Sequence, residues 1–159
     1  MRPEMNLQPL AEQNLAKVLA LQVALEQQSY VKNIADILQQ LSEQQSAHVM
    51  TVDKQLVGFF VIDQHYPYHQ TLPLNKAVLL RSFFVDHGHQ GKGYGYLAGL
   101  LLKDYVSRLH SGFEFLCLTV NCRNHAAQAL YKKCGFKDSE ILYRGGPAGP
   151  QHIYTMKLK

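Results

Sequence analysis

Three glycines alternate with larger residues in His89-Gln-Gly-Lys-Gly-Tyr-Gly-Tyr96: Gly91, Gly93 and Gly95. Glycine loses more backbone freedom on folding than any other residue, so this density belongs where unusual dihedrals or a close backbone approach are needed. An apolar run precedes the stretch and a helical pattern follows it. A strand, a glycine loop and a helix N-terminus make an anion site, because the first helical turn presents unpaired N–H groups at the positive end of the dipole. Lys92 adds a mobile cation. Missing Cβ atoms at the three glycines would let phosphate oxygens reach those amides. Three ligand classes compete: a dinucleotide, a nucleoside triphosphate, or another cofactor bearing a pyrophosphate.

The triphosphate reading fails on chemistry. A Walker A loop follows its Gly-Lys pair with a serine or threonine for magnesium, and Gly91-Lys92 is followed by Gly93. The dinucleotide reading fits in letters, since Gly93-Tyr94-Gly95-Tyr96-Leu97-Ala98 spells G-x-G-x-x-A. That fingerprint also needs an acid for the ribose at the end of the next strand, and "FLCLTVN" ends in Asn121. The third class remains.

Other side chains could do chemistry. Asn124 can cap a helix, or its amide can serve a ligand as donor and acceptor together. Tyr131 falls on an apolar helical stripe, where it is either a core tyrosine or a buried phenol available as an acid. His87 and His89 form an H-x-H with no third ligand nearby, so no metal is expected. Cys117, Cys122 and Cys134 are odd in number and lack C-x-x-C, which suits reduced thiols.

These residues need elements to position them. Met5–Pro9 reads as a strand and Leu10 to about Gln27 as a helix with Leu15, Val18, Leu19 and Leu25 in one stripe. Ser29 is placed to cap a second helix with Tyr30, Ile34, Ile37, Leu38 and Leu41 on its apolar face. Ala47–Val52 and Leu56–Ile62 read as a hairpin across Asp53-Lys54-Gln55. His65–Leu74 carries two prolines and reads as an exposed loop. Ala77–Asp86 reads as a central strand buried on both faces.

A helix from about Gly93 to His110 follows, with Leu97, Leu101, Tyr105 and Leu109 as its stripe. Phe115–Val120 is a buried strand. A helix opened by Asn124 carries Ala127, Leu130, Tyr131 and Cys134 on one face, and Gly135 ends it. Strands near Ser139–Tyr143 and His152–Leu158 flank "RGGPAGPQ". The order β-α-α-β-β-β-α-β-α-β-β defines one mixed α/β (α+β) domain over residues 1–159.

Of the 159 residues 47% are hydrophobic and 18% charged, which fits a globular chain rather than a disordered one. No apolar run reaches membrane-span length, and "MRPEMNLQPL" has no apolar signal core, so a cytoplasmic protein without a membrane partner is expected. A net charge of +4 with scattered basic residues disfavours nucleic acid and is compatible with a polyanionic small molecule without implying one.

The pattern Gln90-x-x-Gly93-x-Gly95 resembles the acetyl-CoA loop of the GNAT superfamily of N-acetyltransferases. Downstream, "VNCRNHAAQALYKKCGF" resembles its second signature, V-x-x-x-N-x-x-A-x-x-L-Y-x-x-x-G-F, with Val120, Asn124, Ala127, Leu130, Tyr131, Gly135 and Phe136 in register. The element order agrees along nearly the whole chain. The resemblance implies a central mixed, twisted sheet of six to seven strands flanked by four helices, with acetyl-CoA as cosubstrate.

It also implies roles. Gln90, Gly91, Lys92, Gly93, Tyr94 and Gly95 would hold the pyrophosphate. The strand Phe83-Phe84-Val85 would splay from its neighbour and pair through its backbone with the pantetheine arm, a backbone N–H polarising the thioester carbonyl. Asn124 would hydrogen-bond the pantetheine, and Tyr131 would protonate the departing thiolate. The general base stays open among Glu26, Asp36, Asp63 and a water chain, because "AVLLRSFFV" carries no carboxylate.

The acceptor implied is a primary amine, bound by the first two helices and the "RGGPAGPQ" loop. "EQQSYVKNIADIL" is loosely similar to the matching helix of small-amine and polyamine acetyltransferases. A peptide N-terminus, a lysine or an amino-sugar stay open. So does a coenzyme-A-binding sensor without catalysis. A homodimer is compatible with the sequence, which specifies no seam.

Overall fold

The computed structural model describes residues 4–23 and 33–159. All seven strands join one mixed sheet in the order β1-β2-β3-β4-β5-β7-β6. They are β1 (Met5–Pro9), β2 (Gln45–Val52), β3 (Gln55–Asp63), β4 (Ala77–Val85), β5 (Phe115–Asn121), β6 (Lys137–Tyr143) and β7 (Gln151–Lys157). The described helices are α1 (Leu15–Leu19), α2 (Ile34–Gln39), α3 (Tyr94–Leu109) and α4 (His125–Lys133), with short 3-10 turns at Glu12–Asn14 and His87–His89. Every neighbouring pair is antiparallel except β4–β5. This is the mixed sheet with four helices that the sequence predicts.

Two apolar layers enclose the sheet. On one face Met50, Phe60, Ile62, Val78, Leu80 and Leu118 pack with Ala98, Leu102 and Val106 of α3. On the other, Val49, Phe59, Val61 and Phe84 pack with Val18 of α1 and Ile34 and Ile37 of α2. Each Leu or Phe side chain buried this completely contributes about 1.5–3 kcal/mol. The β2–β3 connection is a two-residue turn, Asp53 and Lys54, both at positive φ (49° and 71°). Such turns match the right-handed twist of the flanking strands.

Four expectations need correction. The first helix is short: α1 ends at Leu19, Ala20 caps it, and Leu15 and Leu19 are exposed. The chain leaves the helix because Gln22 is tied to the β4–α3 connection. Its N–H donates to Asp86 Oδ1 (2.7 Å) and its carbonyl accepts from His87 N–H (2.6 Å). Leu25, Ser29 and Tyr30 lie outside the described residues; α2 is capped by Asn33, whose side chain accepts from Ala35 N–H at 2.8 Å.

The stripe of α3 is displaced by one residue. Ala98, Leu102 and Val106 are fully buried, whereas Leu101 and Leu109 are 38% and 42% exposed. Adjacent residues on a helix point about 100° apart, and both stripes repeat every four positions, so spacing cannot choose between them. The contact with α4 chooses: a Cβ at Gly99 would overlap Cys134 Sγ, so Gly99 lets the two helices approach on that face.

His65–Leu74 is not simply exposed. Tyr68 is buried with Leu79, Cys117 and Ile153, and Tyr66 and Leu72 pack on the same cluster. The Tyr66 hydroxyl also donates to Leu72 O (2.8 Å). Lastly, β4 is buried on both faces only over Ala77–Leu80; from Arg81 onward it opens.

Candidate active site

That opening frames the candidate site. β4 and β5 pair only through Ala77–Phe115, Val78–Leu116 and Leu79–Cys117. Beyond Leu79 the edge of β4 that faces β5 has no ladder partner there. On the other edge, Phe59 pairs with Phe84 and Val61 with Arg81, so two residues of β4 oppose the single Phe60. This is a β-bulge, and Ser82 within it holds φ of 54°. Non-glycine residues in that region cost of order 1–3 kcal/mol and persist where the surroundings enforce them. The extra residue switches the facing of the strand. Leu80 and Phe83 both face α3 and α4, while Phe84 turns to the α1/α2 layer against Phe59.

The parting strands frame a cleft of about 510 Å³. Leu80–Phe83 line one side and Leu118–Asn121 the other. Asn124, Ala127 and Tyr131 of α4 close one wall. Ile37, Gln40 and Leu41 at α2, with Pro147 and Ala148 of the β6–β7 loop, also line the cleft. Two residues of the loop expected at the acceptor side thus line this cleft. Asn121 Nδ2 (2.8 Å) and Arg123 (2.7 Å) both donate to Ala148 O and hold it there.

Tyr131 is fixed by the local signature around it. Gly135 sits at φ 102°, Gly135 N–H donates to Lys132 O (3.1 Å), and Phe136 N–H donates to Tyr131 O (3.0 Å). That is a Schellman cap, which brings the side chains of its first and last residues together. The rings of Tyr131 and Phe136 meet at 5.7 Å, and Phe83 braces Tyr131 from the bulge at 5.9 Å. The Tyr131 hydroxyl has no hydrogen-bond partner among the described residues. Burial pushes its pKa above the ordinary tyrosine value, with Cys134 adding to the effect, so the phenol stays protonated at neutral pH.

Asn124 is 8% exposed and its Oδ1 accepts from Ala127 N–H (3.3 Å). It caps α4 and lines the cleft at once.

Gln90 to Gly95 lie past the end of β4 rather than in the cleft. Gly91 and Gly93 adopt φ of 80° and 78°, and a Cβ on either would meet nothing within 4 Å. They are glycines for their dihedrals, and the space in front of them is open. Gly93 N-caps α3, leaving Tyr94, Gly95 and Tyr96 N–H as first-turn donors. Gly95 differs from those two: a Cβ there would lie 3.4 Å from Leu130 and 3.8 Å from Val85, at ordinary contact distance, so it faces packed side chains rather than open space. Lys92 Nζ sits 6.0 Å above the Tyr94 ring. Gln90 Nε2 donates to Val85 O (3.1 Å), so this carbonyl already has one partner. The open space at two left-handed glycines, a helix N-terminus, and the unpaired edge of β4 leading to it suit an extended ligand with a pyrophosphate.

The candidate bases fare differently. Asp36 is exposed and does not line the cleft. Asp63 is buried and accepts from Gln45 Nε2 (2.8 Å), His65 N–H (2.9 Å) and Arg81 (3.0 Å), which leaves it committed to structure. Glu26 lies outside the described residues. His89 Nδ1 meets Asp86 Oδ2 at 3.0 Å, and no group of three metal-ligating side chains occurs among the described residues.

Sequence reasoning missed Arg81, Thr119, Tyr68 and Gln45 as lining residues. Arg81 alone left a trace, as the one charge inside an apolar strand.

Residues 15–136 match the model of the Acetyltransferase (GNAT) family. The uncharacterized N-acetyltransferase YbbJ of Bacillus subtilis (strain 168) is 37% identical over 106 residues, which cover 66% of this chain and 66% of that protein. Among solved structures, the spermidine N-acetyltransferase of Vibrio cholerae in complex with CoA and spermine superposes with a TM-score of 0.70 at 16% identity, covering 97% of this chain and 95% of that one. The aminoglycoside acetyltransferase AAC(6')-Ib in complex with coenzyme A and kanamycin gives 0.77 at 15% identity over 97% and 95%. The ribosomal-protein-S18-alanine N-acetyltransferase of Escherichia coli gives 0.69 at 18% over 98% and 95%. These structural likenesses speak for the fold, and the match over 15–136 speaks for the family. The motifs at Gln90–Gly95 and Val120–Phe136 and the parted β4 and β5 agree with it, and the chain belongs to the GNAT family of acetyltransferases.

Proposed function

We propose that this protein moves an acetyl group from acetyl-CoA directly to the nitrogen of a small primary amine. The observation that carries this reading is the join between the opened β4–β5 edge and the glycine-capped N-terminus of α3, with Tyr131 beside the opening. When bound, acetyl-CoA supplies a thioester-activated acetyl group.

The amides of α3 and Lys92 hold the pyrophosphate, and the unpaired edge of β4 takes the pantetheine arm. A backbone N–H of the bulged strand points its partial charge at the carbonyl oxygen, a contribution of about 3–4 kcal/mol to the transition state. Tyr131 holds the proton that the departing sulfur takes as the N–C bond forms and the C–S bond breaks. The described lining residues include no Asp or Glu, which leaves a water chain or Glu26, outside those residues, to take the amine's proton. A cytoplasmic setting fits the cofactor and the three free cysteines. The polyamine-like acceptor suggested by the α2 region finds no carboxylate among those lining residues.

The test combines thermal unfolding with a thiol-release assay. Acetyl-CoA, and neither NADH nor ATP, should raise stability, by about 2.7 kcal/mol at 100 times its dissociation constant. Amine-dependent release of coenzyme A should accompany it. Binding without turnover across a broad amine panel would make the protein a coenzyme-A-binding module instead.

A further inference from the structure

Arg81 is the only charged side chain among the described residues that line the cleft. It stands on β4 just before the bulge, on the same sheet face as Val61 and Leu79, toward α2 and Tyr68. One guanidinium nitrogen is held by Asp63 at 3.0 Å, while Arg81 itself is 46% exposed. Asp63 is 2% exposed and is fixed in turn by Gln45 and His65 N–H. The buried carboxylate thus acts as a clamp that orients the guanidinium, and the remaining N–H donors have the cleft before them. A planar, always-charged fork set in this way matches a carboxylate through two parallel hydrogen bonds.

The neighbours sharpen the preference. Gln40, Gln45, Tyr68 and Thr119 are neutral and polar, and among the described lining residues no carboxylate is present to receive a second ammonium. A polycationic acceptor would place like charge against an arginine whose one acid, Asp63, is buried and already bonded, whereas a carboxylate would meet an oriented partner.

We propose that the acceptor carries a carboxylate beside its reacting amine, in the manner of an amino acid, and that Arg81 binds that carboxylate as a specificity-determining residue. This rests on the N-acetyltransferase reading above.

The experiment measures acetyl-CoA-dependent thiol release by the full-length protein with free amino acids, the carboxamide of each, and spermidine. The best free acid should exceed its own carboxamide by about 10- to 100-fold in kcat/KM, through KM, the range for a hydrogen bond to a charged group. Arg81→Gln should erase this acid-over-amide ratio, and Arg81→Lys should retain part of it. Because Arg81→Gln strips a partner from buried Asp63, its folding is checked by circular dichroism. The wild-type acid-to-amide ratio needs no variant and decides on its own. Equal rates for acids and carboxamides, or a preference for spermidine, would overturn the carboxylate site and leave the N-acetyltransferase reading standing. No acetylation of any amine would overturn both.

Discussion

Replacing Tyr131 with phenylalanine removes one oxygen atom and leaves a ring of the same shape between Phe83 and Phe136, 5.9 Å and 5.7 Å away. The backbone is untouched, so the Schellman cap through Tyr131 O survives. The lost hydroxyl has no hydrogen-bond partner among the described residues, so its removal strands no buried donor or acceptor. Stability should therefore change by less than about 0.5 kcal/mol, within the usual range for a substitution that breaks no packing or polar network. Near this chain length that corresponds to a midpoint change of roughly 2 °C at most.

Catalysis should respond on another scale. Losing a positioned acid typically costs about 10²- to 10⁴-fold, and the loss should appear in kcat with little change in the affinity for acetyl-CoA. The assay pairs steady-state thiol release with thermal unfolding in the presence of acetyl-CoA. A kcat within about threefold of wild type, at full cofactor affinity, would refute the assignment of Tyr131 as the acid.

Gly93→Val is expected to keep the fold and lose the cofactor. Holding an L residue at φ 78° costs about 1–2 kcal/mol, visible as a midpoint several degrees lower, while the new side chain occupies the open space before the α3 amides. An undiminished stabilisation by acetyl-CoA would remove the pyrophosphate from this loop. His48 gives a pH prediction. It is 2% exposed, with Nε2 2.7 Å from Ser46 Oγ and Nδ1 2.6 Å from Tyr105 Oη. Desolvation, helped by the charge of His110, lowers its pKa from 6.5 to about 4. A lowered folded pKa means stability present above pH 6.5 and lost as pH falls through about 4, about 3 kcal/mol in all. His48→Gln should flatten that limb in urea titrations across this range; an unchanged acid limb would assign it to other groups.

The two motifs around the candidate site were legible because their determinants are local. A left-handed glycine before a helix, an asparagine cap at Asn124 and a glycine stop at Gly135 are each set by a few consecutive residues. Their spacing in "VNCRNHAAQALYKKCGF" places Tyr131 one cap away from Phe136. The rest of the cleft was legible only in part. The loop of Pro147 and Ala148 and the α2 region were expected there, but Tyr68 comes from a proline-bearing loop and Gln45 from the start of β2, and nothing in the sequence ties them to Arg81. Asp63 looked like a free acid in sequence, and only its three hydrogen bonds show that it serves Arg81 instead.

The sequence by itself determined the order of elements, the left-handed glycine loop before α3 and the caps, since dihedral preference and helix-end chemistry act within one turn of chain. The tertiary structure decided the rest. The one-residue surplus of β4 against Phe60 depends on the register of two strands, and it sets which way Phe83 and Phe84 face. The buried face of α3 depends on how closely Gly99 lets α4 approach. The cleft exists because β4 and β5 part after Leu79, and no single segment encodes a distance between two strands.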